Sequence, residues 1–142
     1  MAFNMTRGER EAFLADVHVG VLAINEPSKG PLTVPVWYDY EPGGHLWFLT
    51  GRNSRKGALL AEGTRVSLCA QTESAPYQYV TVEGPVSEIR EANRYKELRA
   101  MARRYLGPEQ GDRYAEANSS GESILVVVTP ERWLTIDYGK RG

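Results

Sequence analysis

Residues 77–90 read Tyr77-Gln78-Tyr79-Val80-Thr81-Val82-Glu83-Gly84-Pro85-Val86-Ser87-Glu88-Ile89-Arg90, and this stretch decides the architecture. Val, Tyr, Thr and Ile dominate it, and apolar side chains alternate with polar ones on both sides of Gly84-Pro85, the period of a half-buried strand. Glycine followed by proline cannot sustain a regular ladder, so the strand is expected to bulge or bend there. A long strand that bends can wrap from one part of a sheet into another, which is how a sheet closes on itself.

Working outward, Arg65–Gln71 alternates in the same way. Val19–Ile24 is a run rich in branched residues that ends in the Asn25, Pro27, Gly30 turn cluster. Leu32, Val34, Val36 and Tyr38 alternate with Thr33, Pro35, Trp37 and Asp39, and Pro42-Gly43-Gly44 then turns the chain into a strand over His45–Thr50. Ile124–Thr129 and Trp133–Tyr138 read as a closing pair of strands. Helices are few. Thr6 followed by Glu9 is a capping box ahead of Phe13, Leu14 and Val17, and Gly57–Ala61 suits a short helix. Ala92, Tyr95, Leu98, Ala102 and Tyr105 recur at helical spacing, giving the one long helix expected, which ends near Gly107-Pro108. A shorter one is expected from Pro108 towards Asn118. Six or seven antiparallel strands with short turns favour a mainly β fold, a closed barrel with peripheral helices, over a sandwich.

The 142 residues at 15.9 kDa are the size of one domain, 1–142, with a single core. Apolar residues make up 42% and charged residues 25%, and the formal net charge is -1, so disorder and collagen-like structure are excluded. No run approaches the ~20 apolar residues of a membrane span, and Met1–Arg10 lacks a secretory apolar stretch, so no membrane association and a cytoplasmic location are expected. The single Cys69 excludes an internal disulfide and suits a reducing compartment. A charge near zero argues against a general nucleic-acid partner and confines any anion site to a local cluster.

Chemistry is narrowed by elimination. His18, His45 and Cys69 have no ligand spacing, so no metal site is expected. A Ser nucleophile elbow, a GxxxxGK[ST] loop and a GxGxxG turn are absent. The loop Arg52-Asn53-Ser54-Arg55-Lys56, directly after Thr50, gathers two guanidinium groups, an ammonium, nearby hydroxyls and the free N–H groups of a helix start. Such a set can hold a phosphate, and it equally suits a solvated charged loop. Trp37, Trp47, Tyr77, Tyr79 and Trp133 fall in strands, where their rings can stack on a planar heterocycle or pack a core. Trp47, out of phase with Leu46 and Phe48, is assigned to packing.

In order and spacing, Pro35-Val36-Trp37, Leu46–Thr50, Ser54-Arg55-Lys56, Arg65-Val66-Ser67-Leu68 and Tyr79–Gly84 resemble the pyridoxamine 5'-phosphate oxidase-like, split β-barrel oxidoreductases that use flavin or deazaflavin. Arg104-Tyr105-Leu106-Gly107 and Pro130-Glu131-Arg132-Trp133 are similar to the branch that uses coenzyme F-420. The resemblance implies that Arg55 and Lys56 hold the cofactor phosphate, with Ser54, Thr50 and Arg52 as neighbours. It places the backbone of Val34, Pro35, Val36 and Trp37 along the ring edge and Tyr79 near the pyrimidine end across a homodimer interface. Leu49 and Trp133 complete the implied cofactor-binding set. The chain departs from the phosphopyridoxamine oxidases proper in ending Asp137-Tyr138-Gly139-Lys140-Arg141-Gly142 instead of in a basic, proline-terminated segment.

The expected activity is hydride transfer from reduced coenzyme F-420 to a planar conjugated small molecule, because such a cofactor supplies the redox chemistry and no catalytic dyad is required of the protein. No catalytic residue is assigned. An FMN-dependent oxidoreductase and a non-catalytic carrier of a flavin or another planar ligand share the same binding residues and remain the alternatives. Arg52 beside Arg55 and Lys56 tilts the cofactor towards F-420, whose phosphodiester continues into an anionic tail.

Overall fold

The capping box at Thr6 forms as its sequence predicts: the Thr6 hydroxyl accepts from the Glu9 N–H (3.2 Å) and the Glu9 carboxylate from the Thr6 N–H (2.8 Å). This opens α1 (Arg7–Ala15), which buries Phe13 and Leu14. The structure, a computed structural model, describes residues 3–118 and 122–140. Eight strands follow: β1 (Gly20–Ile24), β2 (Leu32–Val36), β3 (Tyr38–Tyr40), β4 (Leu46–Gly51), β5 (Arg65–Gln71), β6 (Gln78–Glu91), β7 (Ser123–Val128) and β8 (Arg132–Asp137). Helix α2 (Arg55–Leu59) lies between β4 and β5. A π-helical turn (Arg94–Leu98), α3 (Arg99–Leu106) and α4 (Pro108–Ala117) lie between β6 and β7. Among the described residues no helix is long and apolar enough to cross a membrane.

All strand pairs are antiparallel, in the order β2-β1-β5-β6-β7-β4-β3, with β8 paired to β6. Since β3 is the direct continuation of β2 beyond Trp37, the order returns to its start, and the sheet is a barrel split into two half-sheets. The run Leu32–Asp39, read from sequence as one strand, is thus two, which raises the count above six or seven. Leu22, Phe48, Leu68, Val80, Val82 and Val126, each at most 2% exposed, fill the interior.

Residues 77–90 behave as their reading requires. The first half of β6 pairs with β5 and β8, from Gln71↔Tyr79 to Arg65↔Pro85, and its second half pairs with β7 from Val86↔Val128 to Glu91↔Ile124. One strand therefore belongs to both half-sheets. The register shift falls between Val86 and Glu88, just past the Gly84-Pro85 pair.

Two expectations are corrected. Strands β7 and β8 do not pair with each other; they lie end to end along β6, with Val128 opposite Val86 and Arg132 opposite Glu83. The link between them never reverses, because the Thr129 N–H donates to Pro85 O (3.0 Å) and the Glu131 N–H to Glu83 O (2.8 Å). The single long helix expected over Ala92–Tyr105 is divided, because the Asn93 side chain accepts from the Tyr95 and Lys96 N–H groups (3.1 Å each) and starts a π-helical turn before α3. With ten residues, α4 is longer than α3 with eight.

The other crossing, from β2 to β3, frees backbone groups that a ladder would pair. The Tyr38 N–H donates to the Tyr105 hydroxyl (3.0 Å), and Tyr38 O accepts from Arg104 Nε (3.0 Å). The Tyr105 hydroxyl in turn donates to His18 O (2.5 Å), and Arg104 Nη2 donates to Ala15 O (3.0 Å) and Asp16 O (3.1 Å). Two consecutive side chains of α3 thereby tie the crossing to the end of α1.

Removing the hydroxyl in Tyr105→Phe leaves the Tyr38 N–H without its acceptor, and denaturant unfolding is expected to show a loss of about 1–3 kcal/mol. A Cβ at Gly84 would stand 1.8 Å from Thr129 O, so Gly84→Ala must separate β6 from the β7–β8 link. The expected cost is about 3 kcal/mol or more, read as a fall in the denaturation midpoint.

Candidate functional site

The break at Trp37 also opens a cleft. Strand alternation in β4 turns Leu46, Phe48 and Thr50 inward and Trp47 and Leu49 outward. Helices α3 and α4 lie over that outer side, joined by a two-point ion pair from Arg103 Nε (2.6 Å) and Nη2 (2.8 Å) to Asp112. Between them is a cleft of about 620 Å³. One wall is Pro35, Val36 and Trp37 with Leu49 and Thr50; the facing wall is Leu98, Met101, Tyr114 and Asn118, and Lys56, Glu122 and Ser123 also line it.

Trp37 is fixed in place. Tyr105 stacks on its ring at 4.9 Å between centroids and 7° between planes, and Tyr114 packs on it tilted by 49° at 5.2 Å. Burial raises the Tyr105 phenol above its usual pKa, which keeps it a donor to His18 O, while burial pulls the His18 imidazole down.

At the end of β4 the chain enters α2 through Ser54, so the helix begins two residues earlier than the Gly57–Ala61 reading. Ser54 Oγ accepts from the Gly57 N–H (3.0 Å), donates to Gly51 O (2.8 Å) and lies 3.1 Å from Thr50 Oγ1. Gly57 is required there: a Cβ would meet Gly51 O at 2.2 Å, so only glycine lets α2 close against the strand end. The three basic side chains of the loop then diverge. Lys56 lines the cleft. Arg52 lines an adjoining recess of about 300 Å³ and lies 3.7 Å from Glu91. Arg55 binds Glu26 through Nη2 (2.5 Å) and Nε (3.4 Å), and its guanidinium holds the Glu26 carboxyl below the usual range.

Of the residues nominated from sequence, the cleft brings together Pro35, Val36, Trp37, Leu49, Thr50 and Lys56. Ser54 sits beneath it as the helix cap, and Arg52 is in the adjoining recess. Val34 packs against the barrel core, one step before the cleft wall. Arg55 is turned to Glu26. Tyr79 alternates with buried Val80 and Val82 and lies on the outer face of β6, outside this cleft. Trp133 lies opposite Val82 and packs against the core, edge-on to Tyr40 at 6.0 Å and with the Arg10 guanidinium 4.6 Å from its ring centroid. Strand parity thus gives Trp133 a packing role in the single chain. Trp47 lines a separate groove with Ala100 and Val127. Sequence reasoning missed the facing wall. Leu98 was noticed only as part of an apolar helix face, and nothing marked Tyr114 or Asn118, because α4 reaches the cleft only through its packing on α3. Among the described residues no three His, Cys, Asp or Glu side chains are placed to hold a metal ion.

Comparison with known proteins follows the same lines. A search of curated proteins finds no match. Among solved structures the chain is similar to the conserved hypothetical protein Rv2991 of Mycobacterium tuberculosis, at 22% identity and TM-score 0.76, covering 96% of this chain and 88% of that one. It is similar to an F420 reductase at 21% identity and TM-score 0.69, covering 87% of this chain and 94% of that one. A third likeness is to an FAD-binding protein of Mycobacterium smegmatis, at 16% identity and TM-score 0.58, covering 92% and 94% of the two chains. These likenesses concern the fold, and the sequence itself settles the family. Because the model of the pyridoxamine 5'-phosphate oxidase family matches residues 6–137, nearly the whole barrel and both helices over the cleft, the chain belongs to that family of flavin-binding oxidoreductases.

Proposed function

We propose that the protein is a coenzyme F-420-dependent oxidoreductase that holds the deazaflavin in the cleft beside Trp37 and passes hydride from its reduced form to a planar, conjugated small molecule. The observation that carries this reading is the division of the cleft into two chemistries. Leu49, Leu98, Met101 and the Trp37 indole make an apolar, aromatic wall for a flat ring system, and Lys56 supplies an ammonium for a phosphate at the strand end beside Thr50. A volume of about 620 Å³ lies within the ordinary range for a small-molecule site, about 300–1,000 Å³.

Bound there, the deazaflavin supplies the two-electron hydride chemistry. The chain's own contribution is position and environment. Tyr105 locks the Trp37 ring, the α3–α4 pair forms the facing wall, and Lys56 anchors the phosphate end. The F-420 reading over FMN is supported by the adjoining recess, which shares Leu98, Asn118, Glu122 and Ser123 with the cleft and adds Arg94 and Arg52, the latter 3.7 Å from Glu91. An anionic tail has a course there, whereas FMN ends at its phosphate.

The site is completed by a second copy of the chain. Across the outer face of the barrel the register aligns Pro35, Val21, Cys69, Thr81 and Leu134 in one row from β2 to β8. Val21 is 42% and Leu134 58% exposed, an apolar row that starts at the cleft wall and passes beside Tyr79. A two-fold partner laid on this row would cover its exposed apolar side chains.

Lys56→Ala is expected to weaken F-420 binding about tenfold to a hundredfold, the range for losing a charge-assisted hydrogen bond, with the thermal midpoint unchanged. Titration followed by cofactor fluorescence reads it. Tight FMN binding without F-420 binding would replace the cofactor assignment, and F-420 binding without turnover on quinones, enones or tetrapyrroles would favour a carrier. Light scattering is expected to give about twice the 15.9 kDa chain mass, falling to one chain in Leu134→Glu with an unchanged circular-dichroism spectrum. A wild-type monomer would remove the dimer.

A further inference from the structure

Two tyrosines touch Trp37, one from α3 and one from α4, and they are held in different ways. Tyr105 lies parallel to the indole, at 7° and 4.9 Å, and its hydroxyl accepts from the Tyr38 N–H (3.0 Å) and donates to His18 O (2.5 Å). It is fixed at both ends of its side chain and does not line the cleft. Tyr114 does line it, beside Trp37. Its ring meets the indole at 5.2 Å, tilted by 49°, and the residue is 39% exposed. Among the described residues the Tyr114 hydroxyl has no hydrogen-bond partner. The backbone beneath it is anchored, because Tyr114 O accepts from both the Asn118 N–H (3.0 Å) and Asn118 Nδ2 (2.9 Å). Movement of Tyr114 is therefore a turn of the side chain on a fixed helix, which for an exposed residue takes picoseconds to nanoseconds.

Tyr105 thus backs the indole from outside the cleft, and Tyr114 contacts it from within. A flat ring system pairs well with an indole when offset and parallel, and a tyrosine tilted by 49° on the cleft side obstructs that geometry. We propose that Tyr114 gates the cleft: with the cleft empty its ring rests on Trp37, and a planar ligand stacks on the indole only after that ring has turned out. This rests on reading the cleft as the site of a planar cofactor. Opening exchanges one aromatic contact for another, with no backbone rearrangement and no hydrogen bond broken. An aromatic pair of this kind biases the two positions of the ring by about two- to tenfold. Because the turn is far faster than association, the open fraction scales the association rate and the affinity together. Dissociation is left unchanged. A tyrosine that is an ordinary wall contact does the reverse, since it holds the bound ligand and acts on dissociation.

The experiment follows cofactor fluorescence in a stopped-flow instrument as wild type, Tyr114→Ala and Tyr114→Phe are mixed with coenzyme F-420 and, separately, with FMN. Alanine is the stronger helix former, so α4 is expected to persist and the circular-dichroism spectrum to stay unchanged. In Tyr114→Ala the association rate constant is expected to rise about two- to tenfold with the dissociation rate constant unchanged. Tyr114→Phe keeps the ring and is expected to keep the wild-type rates. In the ligand-free protein, acrylamide quenching of tryptophan fluorescence is expected to increase in Tyr114→Ala. That increase reports Trp37, because Trp47 lines a separate groove and Trp133 packs against the core. Faster dissociation with unchanged association in Tyr114→Ala makes Tyr114 a wall contact, which overturns the gate and leaves the cofactor reading standing. Tyr114→Phe behaving as Tyr114→Ala transfers the effect to the hydroxyl and overturns the gate, and so does unchanged quenching. If wild type binds FMN but not F-420, the F-420 reading fails and the FMN rates decide the gate by the same criteria. Binding of neither cofactor overturns both.

Discussion

A strand that leaves one half-sheet and enters another must abandon ladder partners, and the hydrogen bonds of Tyr38 to Arg104 and Tyr105 are what make that crossing tolerable here. An unpaired, buried backbone N–H or carbonyl would cost about 1–3 kcal/mol. The Tyr105 hydroxyl and the Arg104 guanidinium take up both groups of one residue and fasten them to the end of α1 at Ala15, Asp16 and His18. The strand partners of β2 and β3, β1 and β4, hold the two on different half-sheets, and these side chains satisfy the backbone where the chain passes between them. The same two side chains fix where α3 sits, and through it α4.

The second crossing uses backbone against backbone. Strand β6 changes half-sheets by bending, with the β7–β8 link pressed on Gly84 so closely that no side chain fits between them. One crossing is thus relieved by side chains and leaves space, and the other is closed by contact and leaves none. This asymmetry explains why the cleft beside Trp37 lies at the β2–β3 break. It also explains the packing of Trp133, which the closed seam holds opposite Val82 on the core side of β8.

The charged loop follows from the end of β4. Ser54 and Gly57 hold α2 tight against Gly51, which sets three consecutive directions for the basic residues around it. Charge is then distributed by partners and not by composition: Glu26 and Glu91 each take one arginine, and the lysine faces the cleft. A loop that, counted by residue type alone, has positive charge to spare thus turns one ammonium towards an apolar, aromatic wall.

Periodicity settled much of this protein from its sequence. Alternation over residues 65–71 and 77–90, with Gly84-Pro85 in the second run, determined strands, a bend and hence a barrel, because side-chain burial on one face of a strand leaves a period of two in any linear reading. Pro35, Val36, Trp37, Leu49, Thr50 and Lys56, which line one cleft, were nominated through the family resemblance of the segments that carry them. The end-to-end course of β7 and β8, the partners of Arg52 and Arg55, the packing of Trp133 and the wall formed by Leu98, Met101 and Tyr114 were decided only in three dimensions. Each depends on contacts between segments far apart in the chain, such as Glu26 with Arg55 or Tyr38 with Tyr105, and local spacing carries no record of which distant residue will meet which.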